Sequence, residues 1–265
     1  MNFKTKNIIY IPTYNHSNTI FKLLSGLNNV NFDFDVLIID DHSSDEISIE
    51  IKKFINIQKH SFNINLIKTK KNYGYATSVK IAFSIFINLT KCNNIIVLHG
   101  DGQYDPVLIN KFKEFLDSEY AIVQGYRDKK AFPKEDQTPI FPYLTIKILN
   151  YYENIICRTN FKEWHSGFAM YKRNFLSNFS INNLTNTMHI DGNLLYISKL
   201  LSQKVCSVKI YKKYKKKGNY NYFNMFKYVI SVFLFPFIFV IKNKKYYLQK
   251  NSQNNFNYDF INLNK

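Results

Sequence analysis

Arginine is nearly missing from this chain: Arg127, Arg158 and Arg173 are the three among 36 basic residues in a length of 265. With 19 acidic residues the formal net charge is +17, carried almost wholly by lysine. Nucleic-acid readers favour arginine for bidentate base and phosphate contacts. The abundant residues (Asn, Lys, Ile, Phe, Tyr) also share AT-rich codons. The charge therefore argues against a nucleic-acid partner and for an anionic substrate or surface. Cysteine is equally sparse. Cys92, Cys157 and Cys206 are odd in number and form no CxxC pair, which excludes a disulfide framework or a cysteine zinc site. Pro12 follows only a short apolar run, so no signal peptide is read there, and a reducing, cytoplasmic setting is expected. Neither GxGxxG nor GxxxxGK[ST] occurs, excluding the dinucleotide fingerprint and the lysine-bearing phosphate loop. With hydrophobic residues at 46% and aromatics at 17%, wholesale disorder is excluded too.

What is present alternates. Short β-rich runs at Ile8–Ile11, Val36–Asp40, Ile64–Thr69, Ile95–His99 and Ala121–Gln124 are separated by helical patterns at Asn18–Leu27, Ile47–Ile55 and Ala76–Leu89, with another helix opening near Pro106. Ser44 and Asp45 are plausible caps for the second helix. Strands joined by helix-length crossovers imply βαβ units and a mostly parallel sheet. The remainder reads as a helix over Pro139–Ile156, a strand over Gly167–Tyr171, a helix over Asp191–Leu201 and a strand over Val205–Tyr211.

Ligands of open parallel sheets bind beyond the carboxyl ends of the strands. The residues there are Pro12, Thr13, Tyr14 and Asn15, then Asp40, Asp41, His42 and Ser43, then Lys71, Asn72 and Gly74, then His99, Gly100, Asp101, Gly102 and Gln103. Only eight glycines exist, and three fall on this rim, where positive φ or close backbone approach calls for them. Asp101 and Gln103 supply oxygen ligands suited to Mg²⁺ or Mn²⁺, and His99 adds a nitrogen more congenial to Mn²⁺. Taken singly, Asp101 reads equally as a loop or cap carboxylate, and His99 as a hydrogen-bonded strand end.

Five ordered segments resemble the motifs of family-2 glycosyltransferases, most nearly the dolichyl- and polyprenyl-phosphate sugar synthase-like branch. They are Pro12-Thr13-Tyr14-Asn15, Asp40-Asp41-His42-Ser43-Ser44-Asp45, Asn72-Tyr73-Gly74-Tyr75-Ala76, His99 to Pro106, and Trp164 to Tyr171. The resemblance runs from about Ile8 to Gly218. It implies a GT-A-like (Rossmann-like) α/β domain over 1–218 and a metal-dependent, usually inverting, glycosyl transfer from a nucleotide-diphospho-sugar. By position it implies Pro12 and Tyr14 beside the nucleobase, with Asn15 in the same motif, and Asp40 accepting from the base's NH. Asp41 would lie near ribose or phosphates, Asn72, Gly74 and Gly100 would wall the nucleotide, and His99, Asp101 and Gln103 occupy the metal motif. Asp191 falls where the branch has an Asp in an FD-x-E segment and becomes the candidate base; as an alternative it caps the following helix. Glu163, His165, Ser166 and Gly167 mark the acceptor side, and Trp164 either stacks on ligand or packs. Four positions depart from the pattern: His16, His99, Ala169 and Asn193.

The last part, 219–265, reads as an appendage. Six lysines lie between Lys209 and Lys217, and Tyr228–Ile241 is 14 residues without a charge, interrupted by Pro236. At about 1.5 Å per residue this segment reaches roughly 21 Å, short of a bilayer's hydrocarbon core. Two readings follow: a helix packed on the domain, or one lying in a membrane interface with Lys227, Lys242, Lys244 and Lys245 at its flanks. The second places the enzyme peripherally at the cytoplasmic face, with a polyprenyl phosphate or a growing glycan as acceptor. The Asn-rich tail after Gln249 is expected to fray.

Overall fold

The computed structural model describes residues 1–214, 222–241, 244–248 and 257–263. Lys215, Lys216, Lys217 and Lys242 of the basic flank, and the expected boundary after Gly218, lie outside the described residues.

Strands β1 (Asn7–Thr13), β2 (Asp35–Asp40), β3 (Ile64–Thr69) and β4 (Asn94–Val97) pair in parallel around β1, as β4-β1-β2-β3. Every residue of β1, β2 and β4 is buried, which is why these segments read as continuous apolar runs rather than alternating ones. Successive side chains go to opposite faces. Ile8, Tyr10, Leu37 and Ile39 enter one core with α3 (Tyr75–Leu89), while Ile9, Ile11, Val36 and Ile38 enter the other with α1 (Ser17–Leu27) and α2 (Ile47–Ile57).

The sheet is completed on one side by β5 (Ile122–Arg127), β6 (Ala169–Lys172) and β7 (Val205–Ile210), where β6 runs antiparallel to both β4 and β5. A 3₁₀ helix over Pro106–Phe115 is capped by Asp105, whose carboxylate accepts from Val107 N. Helices α4 (Ile140–Cys157), α6 (Ile190–Leu200) and α7 (Tyr222–Ile241) match segments read as helical from sequence, with α7 longer than expected, whereas the short α5 (Arg173–Leu176) and α8 (Lys244–Leu248) have no counterpart in that reading.

Two local expectations fail. Neither Ser44 nor Asp45 caps α2, whose N-cap is Glu46 with no side-chain cap bond; the Asp45 carboxylate instead accepts from Ser17 N at 2.7 Å, joining the starts of α2 and α1. Nor does all of the tail fray. Tyr258–Ile261 forms β8, antiparallel to β3, and covers what would otherwise be an open sheet edge.

Candidate active site

The loops leaving β1, β2 and β4 enclose a cleft of about 350 Å³, at the carboxyl end of the parallel strands. Pro12 lies at the end of β1, Tyr14 and His16 come from the loop after it, Asp41 from the second loop, and His99, Gly100 and Asp101 from the third. The far wall is built by His165, Gly167, Asp191 at the start of α6, Lys212 after β7 and Tyr228 of α7. The backbone bonds Leu98 N–H to Tyr10 O and Gly100 N–H to Pro12 O carry the β1–β4 pairing past Val97 into this loop. A Cβ on Gly100 would sit 3.0 Å from Pro12 O, while Gly74 and Gly102 hold φ of +84° and +72°. These three rim glycines answer to close approach and positive φ respectively.

Asp41 is 5% exposed and pins the neighbouring loop: Oδ1 accepts from Tyr73 N (2.9 Å) and the Thr69 hydroxyl (3.1 Å), and Oδ2 from Gly74 N (2.6 Å). Asp101 Oδ1 accepts from Gln103 N at 2.9 Å, and no protein partner engages Oδ2 among the described residues. That second oxygen fits a divalent cation's need for a carboxylate ligand. His99 packs between Tyr75 and Tyr104, at centroid distances of 5.1 and 6.1 Å, and its Nε2 is buried without a hydrogen-bond partner. Burial pushes its pKa down to about 4, so the ring is neutral and keeps the lone pair a ligand needs.

Asp191 is buried at the cleft floor. The hydroxyls of Tyr75 (3.2 and 3.3 Å) and Tyr171 (3.4 Å) donate to its carboxylate, and burial pushes its pKa up to about 7 against the pull of those bonds. His189, not Asp191, precedes α6 as its N-cap, so the capping alternative falls. Among the described residues of the basic run, Lys212 reaches the cleft; burial first, and Arg127 second, lower its pKa to about 8. Its neighbours behave as a solvated face: Lys209 lies 3.4 Å from Asp128 and Lys213 2.8 Å from Asp105.

Six expected site residues do not line this cleft: Asn15, Asp40, Asn72, Gly74, Gln103 and Ser166. Asn15 Oδ1 accepts from the backbone and hydroxyl of Ser44. Asp40 Oδ1 accepts from Ser43 N at 2.9 Å, with Lys68 Nζ 3.5 Å from Oδ2. Asn72 and Gly74 meet each other, Gly74 N donating to Asn72 Oδ1. Gln103's backbone carbonyl accepts from Lys213 N, and Ser166 is fully buried, with its carbonyl accepting from Gln124 Nε2.

One acceptor-side expectation is corrected, and the Trp164 alternative is resolved in favour of packing. Glu163 is 1% exposed and locked to Arg127, accepting from its backbone N and guanidinium. Trp164 is fully buried, its indole N–H donating to Asn154 Oδ1 at 3.0 Å, so it packs rather than stacks on ligand. His165 does line the cleft; its Nδ1 is 2.8 Å from the Tyr228 hydroxyl. The aromatic lining from Tyr75, Tyr104 and Tyr228 was not singled out from sequence. Tyr75 and Tyr104 lie inside the recognised motifs, but Tyr228 gives no local signal at all.

A mostly parallel sheet with carboxylates, a half-buried lysine and glycine-bearing loops at its carboxyl rim is the arrangement of a GT-A-like fold. The glycosyl transferase family 2 profile matches residues 8–179. The chain belongs to that family and is a glycosyltransferase. It is 30% identical over 173 residues to an uncharacterized protein of Methanocaldococcus jannaschii, covering 64% of this chain and 72% of that one. Glucosyl-3-phosphoglycerate synthase of Mycobacterium tuberculosis, solved with Mn²⁺, UDP and glucosyl-3-phosphoglycerate, superposes with a TM-score of 0.58 at 12% identity, over 88% of this chain and 80% of that one. A mannosyltransferase of Pyrobaculum calidifontis with GDP-Man and Mn²⁺ superposes with a TM-score of 0.60 at 14% identity, over 91% of this chain and 66% of that one.

Proposed function

We propose that the chain moves a sugar from a nucleotide-diphospho-sugar to a lipid-linked acceptor, polyprenyl phosphate in the first instance, with inversion at the anomeric carbon. The donor half is supported by the family, by the rim position of the cleft, and by structural neighbours solved with UDP or GDP-Man and Mn²⁺. Asp101 would hold the Mn²⁺ or Mg²⁺, with His99 beside it and Gln103 shaping its loop. The bound cation would stabilise charge on the departing diphosphate. Lys212 would pair with the same diphosphate. Pro12, Tyr14 and Asp41 would bound the nucleotide, while Asp40, Asn15, Asn72, Gly74 and Gly100 keep the loops that carry them in place.

The acceptor half rests on one observation: an apolar face of α4 and α7 that stands exposed among the described residues. Phe141, Leu144, Ile148, Tyr151 and Ile155 repeat at helical spacing along α4, and Phe226, Ile230, Phe233, Leu234 and Phe237 do so along α7; all are exposed, Tyr151 at 70% and Phe226 at 63%. The two helices meet where the Tyr152 hydroxyl donates to Phe233 O at 2.7 Å. Val232 and Phe235 of α7 are buried, so α7 packs on the domain with one face and leaves the other open. Exposed apolar area this extensive marks an interaction surface, and a two-helix apolar face suits a membrane interface. No helix among the described residues is long and apolar enough to cross a bilayer, so a peripheral attachment is proposed. Tyr228, also on α7, lines the cleft, which would put the active site beside the lipid surface.

This reading predicts liposome binding that rises with anionic lipid and falls with salt. A double substitution on the exposed face, Leu144→Asp with Phe237→Asp, should cut that binding at least about tenfold. The melting temperature should hold, since exposed substitutions change stability by only about 0.5 kcal/mol. Liposome binding left intact in that variant would refute the membrane role. A sugar-hydroxyl acceptor is the second reading, favoured by Asp191, a buried carboxylate held at the cleft by two tyrosines and placed to accept a proton. Turnover on a glycan but not on polyprenyl phosphate would select it.

Lys212 yields a pH prediction with a definite sign. Its ammonium is charged below about 8 and is lost above it, so affinity for a nucleoside diphosphate without metal should fall as pH rises through that value. The loss should be about tenfold, the worth of one charge-assisted hydrogen bond. Lys212→Arg should bind evenly to pH 9, since guanidinium stays charged. A wild-type affinity that calorimetry finds flat from pH 7 to 9 would remove Lys212 from the diphosphate.

A further inference from the structure

Glu153 of α4, His165 before β6 and His189 at the start of α6 bring three ligand-type atoms within 4.8 Å of one another. All three side chains are at most 2% exposed. His189 Nε2 lies 2.6 Å from Glu153 Oε1, and His165 Nε2 lies 3.0 Å from Glu153 Oε2. Yet Glu153 Oε2 and His165 Nε2 are both buried without a hydrogen-bond partner: they are close but not aligned to bond each other. Donors that each sit about 2.0–2.2 Å from one cation, at angles between square and tetrahedral, are about 2.8–3.6 Å apart; the His165–Glu153 pair at 3.0 Å falls in that range, and the His189–Glu153 pair at 2.6 Å opens slightly to admit the ion. A shared cation satisfies both atoms, and leaving them unsatisfied in the interior is costly.

The surroundings agree. With Nδ1 of His165 carrying the proton toward the Tyr228 hydroxyl at 2.8 Å, Nε2 keeps its lone pair for a metal, the usual outer-shell arrangement of a ligating histidine. Phe235 of α7 packs on the His189 ring at 4.4 Å, which restricts the ring's orientation. Two imidazoles and one carboxylate form a mixed nitrogen–oxygen set. That set suits Zn²⁺ or Co²⁺, whereas Mg²⁺ and Mn²⁺ prefer oxygen.

We propose that Glu153, His165 and His189 form a second cation site, of the Zn²⁺ class, made of different residues from the Asp101 loop. Three protein ligands leave a fourth tetrahedral position for water or a substrate oxygen, and His165 lines the cleft. Bound there, the cation ties α4, α6 and the His165 segment together and, through Tyr228, fixes α7 against the cleft. The site does not depend on the donor or acceptor assignments above.

The test uses the full chain, stripped with chelator and then offered Zn²⁺ or Co²⁺ alone, without nucleotide. We expect one Zn²⁺ per chain retained after dialysis, a raised melting temperature, and a visible Co²⁺ absorption that Zn²⁺ abolishes. Asp101→Asn should retain the full Zn²⁺ count, whereas Glu153→Gln and His189→Gln should lose it. Should those variants fail to fold, X-ray absorption at the zinc edge of the wild type decides, two imidazoles in the first shell being required. No stoichiometric Zn²⁺, Zn²⁺ retained in His189→Gln, or Zn²⁺ lost in Asp101→Asn would each overturn the site.

Discussion

Replacing Asp101 by Asn should abolish transfer, with kcat/KM down by about a thousandfold or more, the scale set by losing a principal electrostatic stabiliser of the transition state. The substitution keeps the shape of the side chain and its oxygen toward Gln103 N, so the turn at Gly102 should persist. What it removes is the negative charge and the second carboxylate oxygen. The melting temperature should therefore change by no more than a surface substitution does, and circular dichroism should be unaltered. Nucleoside diphosphate affinity should become indifferent to Mn²⁺, while metal-free affinity, carried by Lys212 and the nucleotide loops, should hold. Calorimetry with and without Mn²⁺ separates the two quantities. Wild-type turnover in Asp101→Asn would remove the carboxylate from the mechanism and leave the β4 loop with His99 as its remaining candidate cation ligand.

The legible part of this protein is the part whose stability is local or buried on both sides. β1, β2 and β4 announce themselves because both faces are covered, giving apolar runs such as Ile8-Ile9-Tyr10-Ile11. The residues that follow each strand could then be read as a rim, and Asp41, His99, Gly100 and Asp101 do meet in one cleft. β8 was illegible for the opposite reason: four residues in an Asn-rich tail gain their order from distant partners, chiefly pairing with the β3 edge. The extent of a loop's contribution was also hidden. Asn15 and Asp40 sit in the motifs, yet their side chains serve the loops, not the cleft lining. Tyr228 and the Glu153–His165–His189 group join residues dozens of positions apart, on elements whose packing no spacing rule records. On α7, Val232 and Phe235 pack inward, while the outward stripe became visible only with the matching stripe on α4.

Glu163→Gln should be the most damaging single change to stability described here, costing about 3–5 kcal/mol because it leaves a charged partner buried and uncompensated. Arg127 is 4% exposed and Glu163 1%. Burial alone would depress the guanidinium pKa and raise the carboxyl's. The pair reverses both, raising Arg127 and holding Glu163 below its ordinary 4.5. A carboxyl depressed on folding stabilises above its unfolded value and loses that contribution as pH falls through its folded value. Wild type should accordingly lose stability on acidification below pH 4.5, and the Gln variant should lack that component. At neutral pH the variant's melting temperature should fall by roughly 6–15 °C. Arg127→Met combined with Glu163→Leu should recover most of the loss, since an apolar pair of similar volume incurs no desolvation penalty. Function should move too. Arg127 lowers the Lys212 pKa, while Asp101, Glu163 and Asp136 raise it, so removing the Glu163 carboxylate weakens the opposition to the arginine's repulsion. The midpoint at which Glu163→Gln loses diphosphate affinity should shift below the wild-type value near pH 8, and the double variant should shift it back. An unchanged melting temperature in Glu163→Gln would show that solvent reaches Arg127 freely. An unchanged binding midpoint would show that the pair braces the sheet without tuning the lysine beside it.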